Sequence, residues 1–241
     1  MRISHVSRRA FLTGTAAVAA GVGAGLTLPA GTASAKQTLG TLLDYAQGVP
    51  SAQSISGDGH MGVIRYVSDR RPGAEWMEGK PLLAREVDAL RAAGLSVVSC
   101  YQFGKGPTAD WRGGFEAGVK HATRGLLLHK TAGGPDSAPI YASIDDNPGD
   151  DDFDSMIEPY LRGWETVIGH GRTGVYANSP TIDSIRDAGL CSYFWQHNWG
   201  SPKGYVHPDA HLHQFEIDKR SLDGVGVDVN AVLAPQYGQW W

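Results

Sequence analysis

The chain has 241 residues, of which 41% are hydrophobic, and its formal net charge at pH 7 is −4. This hydrophobic fraction is enough for one substantial core and excludes a chain that is disordered throughout. A net negative charge without a basic cluster also argues against nucleic acid as a partner, because nucleic-acid binding depends on neutralising phosphates.

The first 35 residues carry the features of an export signal. Arg8 and Arg9 precede a weakly apolar run at residues 13–28, and small residues follow at 33–35. This order is typical of a twin-arginine signal that is cleaved after Ala35. A retained membrane anchor is the alternative, but the apolar run has about 16 residues, fewer than the ~20 that a spanning helix needs.

We therefore expect a signal peptide at residues 1–35 and one folded domain at residues 36–241. The twin-arginine pathway would export this domain, with the translocase as a transient partner. Residues 36–241 contain no run that is apolar for long enough to form a stable membrane span after cleavage.

From residue 36 onward, short runs rich in β-branched and aromatic residues alternate with helical patterns. Eight such runs predict strands, at residues 40–46, 62–69, 95–103, 139–145, 172–178, 192–198, 211–217 and 225–230. Four helices are predicted between them, at residues 82–94, about 109–129, 152 or 154 to 168, and 180–189. Several glycines count against the second of these helices.

Strands that alternate with helices indicate parallel βαβ units, and eight units indicate a (β/α)8 TIM-like barrel. The expected domain lies near the lower length limit of that fold, about 200 residues, so several helices must be short or missing, mostly after Asn178. A flat doubly wound sheet is the competing architecture. No glycine-rich nucleotide-binding motif follows any predicted strand, and no cofactor is expected.

Acidic residues stand at or near the ends of the predicted strands. Active sites of parallel barrels are built where the strands end, so these acids would converge on one basin: Asp44, Asp145, Asp146, Glu216 and Asp228. Alternation within the strand at 139–145 places Asp145 on the inner face. Two alternatives stay open, since Asp146 also suits a turn and Asp228 also suits a buried ion pair with Arg65.

Aromatic residues cluster in or just after the same strands. They are Tyr45, Tyr66, Tyr101, Phe103, Tyr176, Trp195 and Trp199. Flat rings with polar tips suit the apolar faces of sugars, although aromatic residues in strands are more often part of the core. We expect four of them to contact a substrate, namely Tyr66, Tyr101, Tyr176 and Trp195.

The motifs "TLLDYA", "SCYQFGKG", "YASIDDNP", "HLHQFEID" and "GVDVN", behind a twin-arginine signal, resemble the exported glycoside-hydrolase-like proteins of mycobacteria and related actinobacteria. Those proteins carry a domain of formally unknown function that is related in fold to the family 25 lysozymes. The resemblance covers the chain from about Thr38 to the C-terminus. It implies a (β/α) barrel, a cell-wall location and hydrolysis of peptidoglycan or another cell-wall glycan.

Within this resemblance, Asp44 matches the acid that the related lysozymes carry after the first strand. Ser143-Ile144-Asp145 stands where they carry Asp-x-Glu, so that serine replaces the first acid and the shorter aspartate replaces the glutamate. Gln214 and Asp228 resemble the last two strand positions of the family. Gln214 therefore joins the residues expected to bind substrate.

Cleavage of a glycosidic bond needs one protonated carboxyl group and one ionised carboxylate. We expect Asp145 to be the acid, kept protonated by neighbouring carboxylates, and Asp44 or Glu216 to stabilise or attack the anomeric carbon. The alternative is a non-catalytic glycan-binding or regulatory protein on a degenerate hydrolase barrel, because Ser143 and Asp145 depart from the lysozyme pattern.

A metal site is a further alternative. His211 and His213 share one strand face, with His207 and His197 nearby in the sequence, and imidazole pairs bind zinc. A hydrogen-bonded pair is the commoner explanation of such a pattern, so no metal is expected.

Overall fold

The computed structural model describes residues 36–241. The predicted signal peptide, residues 1–35, lies outside the described residues. Within residues 36–241 eight strands lie at the predicted places: β1 (Gly40–Asp44), β2 (Gly62–Tyr66), β3 (Ser96–Tyr101), β4 (Ile140–Ser143), β5 (Thr173–Ala177), β6 (Tyr193–Gln196), β7 (Leu212–Leu222) and β8 (Val225–Val232). They close into one barrel in chain order, which confirms a mixed α/β fold built on an eight-stranded barrel.

The last strand departs from the predicted all-parallel arrangement. Each strand from β1 to β6 is parallel to the next, whereas β8 is antiparallel to both β7 and β1. The cause is the two-residue connection Asp223-Gly224, whose φ angles of 51° and 77° are those of a tight hairpin turn. Such a turn joins only antiparallel strands. The prediction of eight parallel units is wrong for β8, and a regular (β/α)8 TIM-like barrel is not confirmed.

Six α-helices of the described residues lie in the connections between strands: α1 (Ala52–Gly57), α2 (Ala84–Ala92), α3 (Gly114–Thr131), α4 (Asp150–Asp152), α5 (Glu158–Ile168) and α6 (Ser179–Asp187). A π-helical turn, Phe153–Ile157, joins α4 to α5. In the described part of the chain, the connections after β6 and β7 contain no α-helix, as predicted for the region after Asn178. None of the described helices has the length and apolar character needed to cross a membrane.

Local sequence signals set the ends of two predicted helices. Gly94 follows α2 with a φ angle of 72°, the left-handed conformation that commonly ends a helix. The side chain of Asn178 accepts a hydrogen bond from the backbone N–H of Thr181 at 2.9 Å and so caps the start of α6. Both boundaries fall within two residues of the predicted ones.

The long helix α3 contains the glycines that counted against its prediction. A Cβ atom on Gly118 would lie 2.1 Å from the carbonyl oxygen of Tyr160 in α5. This position therefore admits only glycine without movement of α5. The glycine weakens the intrinsic stability of α3 by about 1 kcal/mol relative to alanine, but it allows the two helices to touch.

Alternation along the strands separates two apolar layers. Ile140, Ala142 and Ile144 pack outward with residues of the helices. Tyr141, from the same strand, packs inside the barrel with Leu42, as do other inward residues of the strands. The predicted facing of β4 is thereby confirmed, and it directs the residues after Ser143 to the barrel mouth.

Candidate active site

A cavity of about 250 Å³ lies at the mouth of the barrel, where the parallel strands end. Its wall contains three of the five predicted acids, Asp44, Asp145 and Asp228. Three of the residues predicted to bind substrate also line it, and these are Tyr66, Tyr176 and Gln214. The structure thus brings together acids from β1, β8 and the loop after β4.

Asp44 is the most deeply placed of these acids, with 4% of its surface exposed. Its Oδ2 atom accepts hydrogen bonds from Asn230 Nδ2 at 2.7 Å and from Gln214 Nε2 at 2.9 Å. The hydroxyl of Tyr66 lies 3.4 Å from Oδ1. The carboxyl group is therefore held in one orientation by three neighbouring strands.

Two buried aromatic residues orient the amides that contact Asp44. Tyr176 donates its hydroxyl hydrogen to Gln214 Oε1 at 2.5 Å, so the amide nitrogen of Gln214 faces Asp44. Trp195 donates its indole N–H to Asn230 Oδ1 at 2.8 Å in the same manner. Trp195 is buried inside the barrel, so it supports the site from below, whereas a direct contact with substrate was predicted.

The electrostatic environment of Asp44 favours its protonated form. Burial is the main reason that the pKa of Asp44 is raised, to about 7, and the nearby carboxylate of Asp228 raises it further. The hydrogen bonds from Asn230, Gln214 and Tyr66 act in the opposite direction. Asp44 can therefore carry a proton close to neutral pH.

Asp228 shares a hydrogen-bond donor with Asp44. Gln214 Nε2 lies 3.2 Å from Asp228 Oδ2, and the backbone N–H of Asp218 donates to Asp228 Oδ1 at 2.8 Å. Burial raises the pKa of Asp228 as well, and the contact from Asp218 N–H opposes that increase.

Asp145 has surroundings of a different kind. Its Oδ2 atom accepts a hydrogen bond from Gln102 Nε2 at 2.8 Å and lies 2.9 Å from the ammonium group of Lys105. Asp145 thus has a cationic neighbour, which the sequence did not predict.

Asp146 lies outside the main cavity. It lines an adjoining open groove, together with Asp145 and Trp199. Its carboxylate accepts a hydrogen bond from the backbone N–H of Asn147 at 2.9 Å and lies 3.4 Å from Arg112. The first of these contacts is local to the bend after β4, and the second links Asp146 to the segment before α3.

Glu216 does not reach the cavity, contrary to the prediction. The pairing of β7 with β8 shifts between Gln214 and Glu216, so that Gln214 is opposite Asn230 whereas Glu216 is opposite Val229. Val229 packs on the outer side of the barrel. This β-bulge turns Glu216 away from the mouth, where its carboxylate binds Arg220, and that contact lowers its pKa.

Tyr101 was predicted to contact substrate, and this prediction is wrong. It belongs to the outward face of β3, where its ring stacks on His121 at 5.3 Å and meets the edge of Trp164 at 5.5 Å. The strand alternates so that Cys100, its neighbour, points into the barrel. Two aromatic residues of the cluster that were not expected to contact substrate, Tyr45 and Trp199, do line the cavity. The ring of Trp199 stacks on that of His197 at 3.9 Å.

The suggested ion pair between Asp228 and Arg65 is also absent. Arg65 lies on the outward face of β2, where its guanidinium binds the Glu86 carboxylate at 2.5 Å and the backbone carbonyls of Tyr45 and Gly79. Arg65 is fully buried. Asp228 is consequently free of a cationic partner among the described residues and remains available to the cavity.

Several cavity residues were not predicted as site residues. Arg71, Trp76 and Lys80 come from the long connection between β2 and α2, and Gln102 and Lys105 come from the loop after β3. The sequences of these connections have no periodic pattern from which the orientation of a side chain toward the cavity could be predicted. The only available signal was their position after strand ends.

The histidines of the alternative metal site have separate partners. His211 accepts from the backbone N–H of Phe194, and His213 contacts Asn198. His207 and His197 likewise have partners of their own, Asp183 and the carbonyl of Ile144. Within residues 36–241 no group of three metal-binding side chains is found.

Comparison with known proteins gives close relatives. The chain is 63% identical over 238 residues to the "Putative peptidoglycan hydrolase Rv2525c" of Mycobacterium tuberculosis, which covers 98% of this chain and 99% of that protein. The crystal structure of the Mycobacterium tuberculosis Tat-secreted protein Rv2525c in complex with L-tartrate has a TM-score of 0.84 and 66% identity, covering 85% of this chain and 100% of the other. The Tat secretion of that relative agrees with the export route predicted here.

More distant structures share the fold alone. The autolysin LytC of Streptococcus pneumoniae in complex with a synthetic peptidoglycan ligand has a TM-score of 0.55 at 17% identity, covering 80% of this chain and 46% of LytC. The bacterial lysozyme of Streptomyces coelicolor has a TM-score of 0.54 at 14% identity, covering 81% and 93% of the two chains. Residues 53–232 match the profile of the Rv2525c-like, glycoside hydrolase-like domain. The chain belongs to this family.

Proposed function

We propose that the protein is an exported glycoside hydrolase that cleaves peptidoglycan or another cell-wall glycan by carboxylate chemistry. The observation that carries this proposal is that a buried acid and an ion-paired acid line the same cavity. Burial raises the pKa of Asp44 to about 7, whereas Asp145 lies 2.9 Å from the ammonium group of Lys105. Two carboxyl groups whose surroundings differ in this way can divide the roles of acid and stabilising anion.

The proposed reaction uses Asp44 as the proton donor. Asp44 gives its proton to the glycosidic oxygen as the bond between that oxygen and the anomeric carbon breaks. The carboxylate of Asp145 stabilises the positive charge that develops on the anomeric carbon. Water then adds to this carbon, and the proton that the water loses returns to Asp44. This assignment exchanges the two roles that the sequence pattern suggested.

The relatives support the substrate class. The name of the 63% identical protein of Mycobacterium tuberculosis designates peptidoglycan as what it hydrolyses. We propose the same cell-wall context for this chain, reached through the twin-arginine pathway. We also propose that the barrel is a TIM-like (β/α)8 barrel in which β8 has been reversed and the last helices are missing.

The test is digestion of purified peptidoglycan by the full chain, with mass spectrometry of the soluble fragments. We expect fragments with new sugar ends from the wild type and none from Asp44→Asn or Asp145→Asn. Asp136→Asn is a matched control, since this carboxylate is outside the cavity and its side chain is 80% exposed. Intact glycan with the wild type would refute the proposed hydrolase.

A non-catalytic glycan-binding protein is the second candidate. Ser143 stands where the related lysozymes carry an acid, and its buried hydroxyl has no hydrogen-bond partner among the described residues. The two candidates differ in the fate of the glycan. A binding protein would remain on the insoluble wall in the same digestion, with both the wild type and Asp145→Asn, and would leave the glycan chain length unchanged.

A further inference from the structure

Three basic side chains line the cavity: Arg71, Lys80 and Lys105. Lys105 lies 2.9 Å from the carboxylate of Asp145. Its charge is therefore balanced within the protein.

Arg71 and Lys80 differ from Lys105. Both line the cavity, and within the described part of the chain neither forms an ion pair with a carboxylate. Arg71 is half-buried, and Lys80 is only 3% exposed. Burial of a cation without an anionic partner is unfavourable, so the pair is suited to an anion supplied from outside the protein.

Lys80 is held in place although it lacks an acidic partner. Its ammonium group donates one hydrogen bond, to the backbone carbonyl of Gln102 at 2.8 Å, and lies 3.9 Å from the centre of the Tyr66 ring. These contacts fix the position of the charge beside the residue that touches Asp44. Two of the three N–H bonds of the ammonium group have no hydrogen-bond acceptor among the described residues.

Arg71 and Lys80 line the same cavity, and their positive charges repel each other. Burial is the main reason that the pKa of Lys80 is lowered, to about 8, and the positive charge of Arg71 lowers it further. Asp44 and Asp228 belong to β1 and β8, whereas Arg71 and Lys80 belong to the connection between β2 and α2. An anionic group would be attracted to the two cations and repelled by an ionised carboxylate.

We propose that Arg71 and Lys80 bind a carboxylate group carried by a sugar of the glycan, so that the preferred substrate is an acidic glycan. A guanidinium and an ammonium group together match the two oxygens of a carboxylate. Trp76, whose side chain lines the cavity and is 56% exposed, offers a flat apolar face to the same sugar. The proposal rests on the proposed function in one respect, that the occupant is a glycan.

Recognition of this kind discriminates against neutral glycans. A neutral sugar in the same place would displace water from two cations without giving them a partner. Sites with buried polar groups reject ligands that leave those groups unpaired. The acidic group of the sugar therefore sets the position of the glycan relative to Asp44 and Asp145.

The experiment is calorimetric titration of the full chain with a matched pair of oligosaccharides, a hexuronic acid oligomer and its carboxyl-reduced, neutral counterpart. We expect the acidic oligomer to bind at least about tenfold more tightly. Arg71→Gln is expected to raise its Kd about tenfold, toward that of the neutral oligomer, and Lys80→Met to do the same. Lys120→Gln changes an exposed cation on α3 and is expected to leave the Kd unchanged.

A second pair of ligands distinguishes two sources of the carboxylate. A muramic acid oligomer with its lactyl carboxyl group free is compared with the methyl ester of the same oligomer. Preference for the free acid in either pair supports the proposal and identifies the acidic sugar. Equal Kd values within both pairs, or unchanged binding in folded Arg71→Gln, would overturn it.

Binding is measured without cleavage, so the two proposals can fail separately. Discrimination between acidic and neutral oligomers, with no fragments released from any glycan, would refute the hydrolase and support the anion site. Fragments released from peptidoglycan, with no effect of Arg71→Gln on binding, would support the hydrolase and overturn the anion site.

Discussion

Asp44 and Asp228 are directly opposite each other in the antiparallel pair of β1 and β8. The amide nitrogen of Gln214 donates to both carboxyl groups, at 2.9 and 3.2 Å. Like charges placed directly opposite on one face of a sheet destabilise it, so one of the two acids gains from holding a proton. Asp44 is the more buried, and the reversal of β8 is what creates this pair.

The first prediction concerns the proton donor. We expect Asp44→Asn to lower the rate of glycan cleavage by about 10²-fold or more, because asparagine keeps the shape and has no proton to give. The rate of fragment release measures this. Glu216→Gln is the control, since Glu216 binds Arg220 outside the cavity, and it should retain the wild-type rate. If the Asp44→Asn protein were fully active, the proton donor would have to be another group.

The second prediction is the pH dependence of cleavage. With the pKa of Asp44 raised to about 7, activity should fall as the pH rises through about 7, because the donor loses its proton. The charge of Asp228 contributes to that raised pKa. Asp228→Asn should therefore move the alkaline limb of the rate profile to lower pH. An unchanged limb in this variant would show that the limb does not report on Asp44.

The third prediction is the pH dependence of stability. Between about pH 4 and pH 7 the folded chain keeps the proton of Asp44 while the unfolded chain loses it, since an unperturbed aspartate has a pKa of about 3.9. The folded state binds more protons, so this group makes stability fall as the pH rises through that window. Asp44→Asn removes the effect, and its Tm relative to the wild type should increase from pH 4 to pH 8.

Asp136→Asn provides the comparison for this measurement. The contact with Lys130 lowers the pKa of Asp136, so the stabilising contribution of this carboxylate is lost only as the pH falls below about 4. Across pH 4–8 the difference in Tm between Asp136→Asn and the wild type should therefore stay nearly constant. Parallel Tm curves for wild type and Asp44→Asn across pH 4–8 would contradict a buried proton on Asp44.

The sequence was sufficient for those parts of the fold that depend on local patterns. All eight strands were predicted because each is a short apolar run between turn residues, and the alternation in β4 correctly directed Asp145 to the mouth. The antiparallel direction of β8 could also have been predicted from the sequence. Asp223-Gly224 between two apolar runs is a strong hairpin signal, and it contradicts a parallel crossover.

The errors in the predicted site concern side chains whose orientation, into or out of the barrel, depends on how neighbouring strands pair. Glu216 continues the alternation of Leu212 and Gln214 in the sequence, and only the pairing of β7 with β8 contains the bulge that turns it outward. Tyr101 was included because aromatic rings suit sugars. The alternation of side chains along β3 was not considered, and it places Tyr101 on the outer face of the barrel. Arg71 and Lys80 lie in a connection without periodicity, so their approach to each other is a property of the folded chain alone.

The fourth prediction concerns the buried ion pair outside the cavity. Glu86→Gln leaves the fully buried Arg65 without a counter-charge, and we expect a loss of about 3–5 kcal/mol in the free energy of unfolding. Urea unfolding measures it. Glu158→Gln breaks the more exposed pair with Arg162 and should cost less than about 1 kcal/mol. Equal losses in the two variants would contradict a structural role for Arg65.

The last prediction tests the contact between α3 and α5. Alanine has a higher helix propensity than glycine, by about 1 kcal/mol, so propensity alone would make Gly118→Ala stabilising. In the folded chain, however, the new Cβ atom would lie 2.1 Å from the carbonyl oxygen of Tyr160, which belongs to the backbone of α5 and cannot rotate away. We expect a net destabilisation of about 1–3 kcal/mol, measured by urea unfolding.

Gly57→Ala is the matched variant for this test. Gly57 is the last residue of α1, and a Cβ atom there would meet no other atom within 4 Å. The same exchange should therefore be neutral or stabilising by up to about 1 kcal/mol. If Gly118→Ala changed the free energy of unfolding no more than Gly57→Ala does, α3 and α5 would have room for a Cβ atom that their packing does not show. The glycines of α3 would then have to be explained by something other than close helix contact.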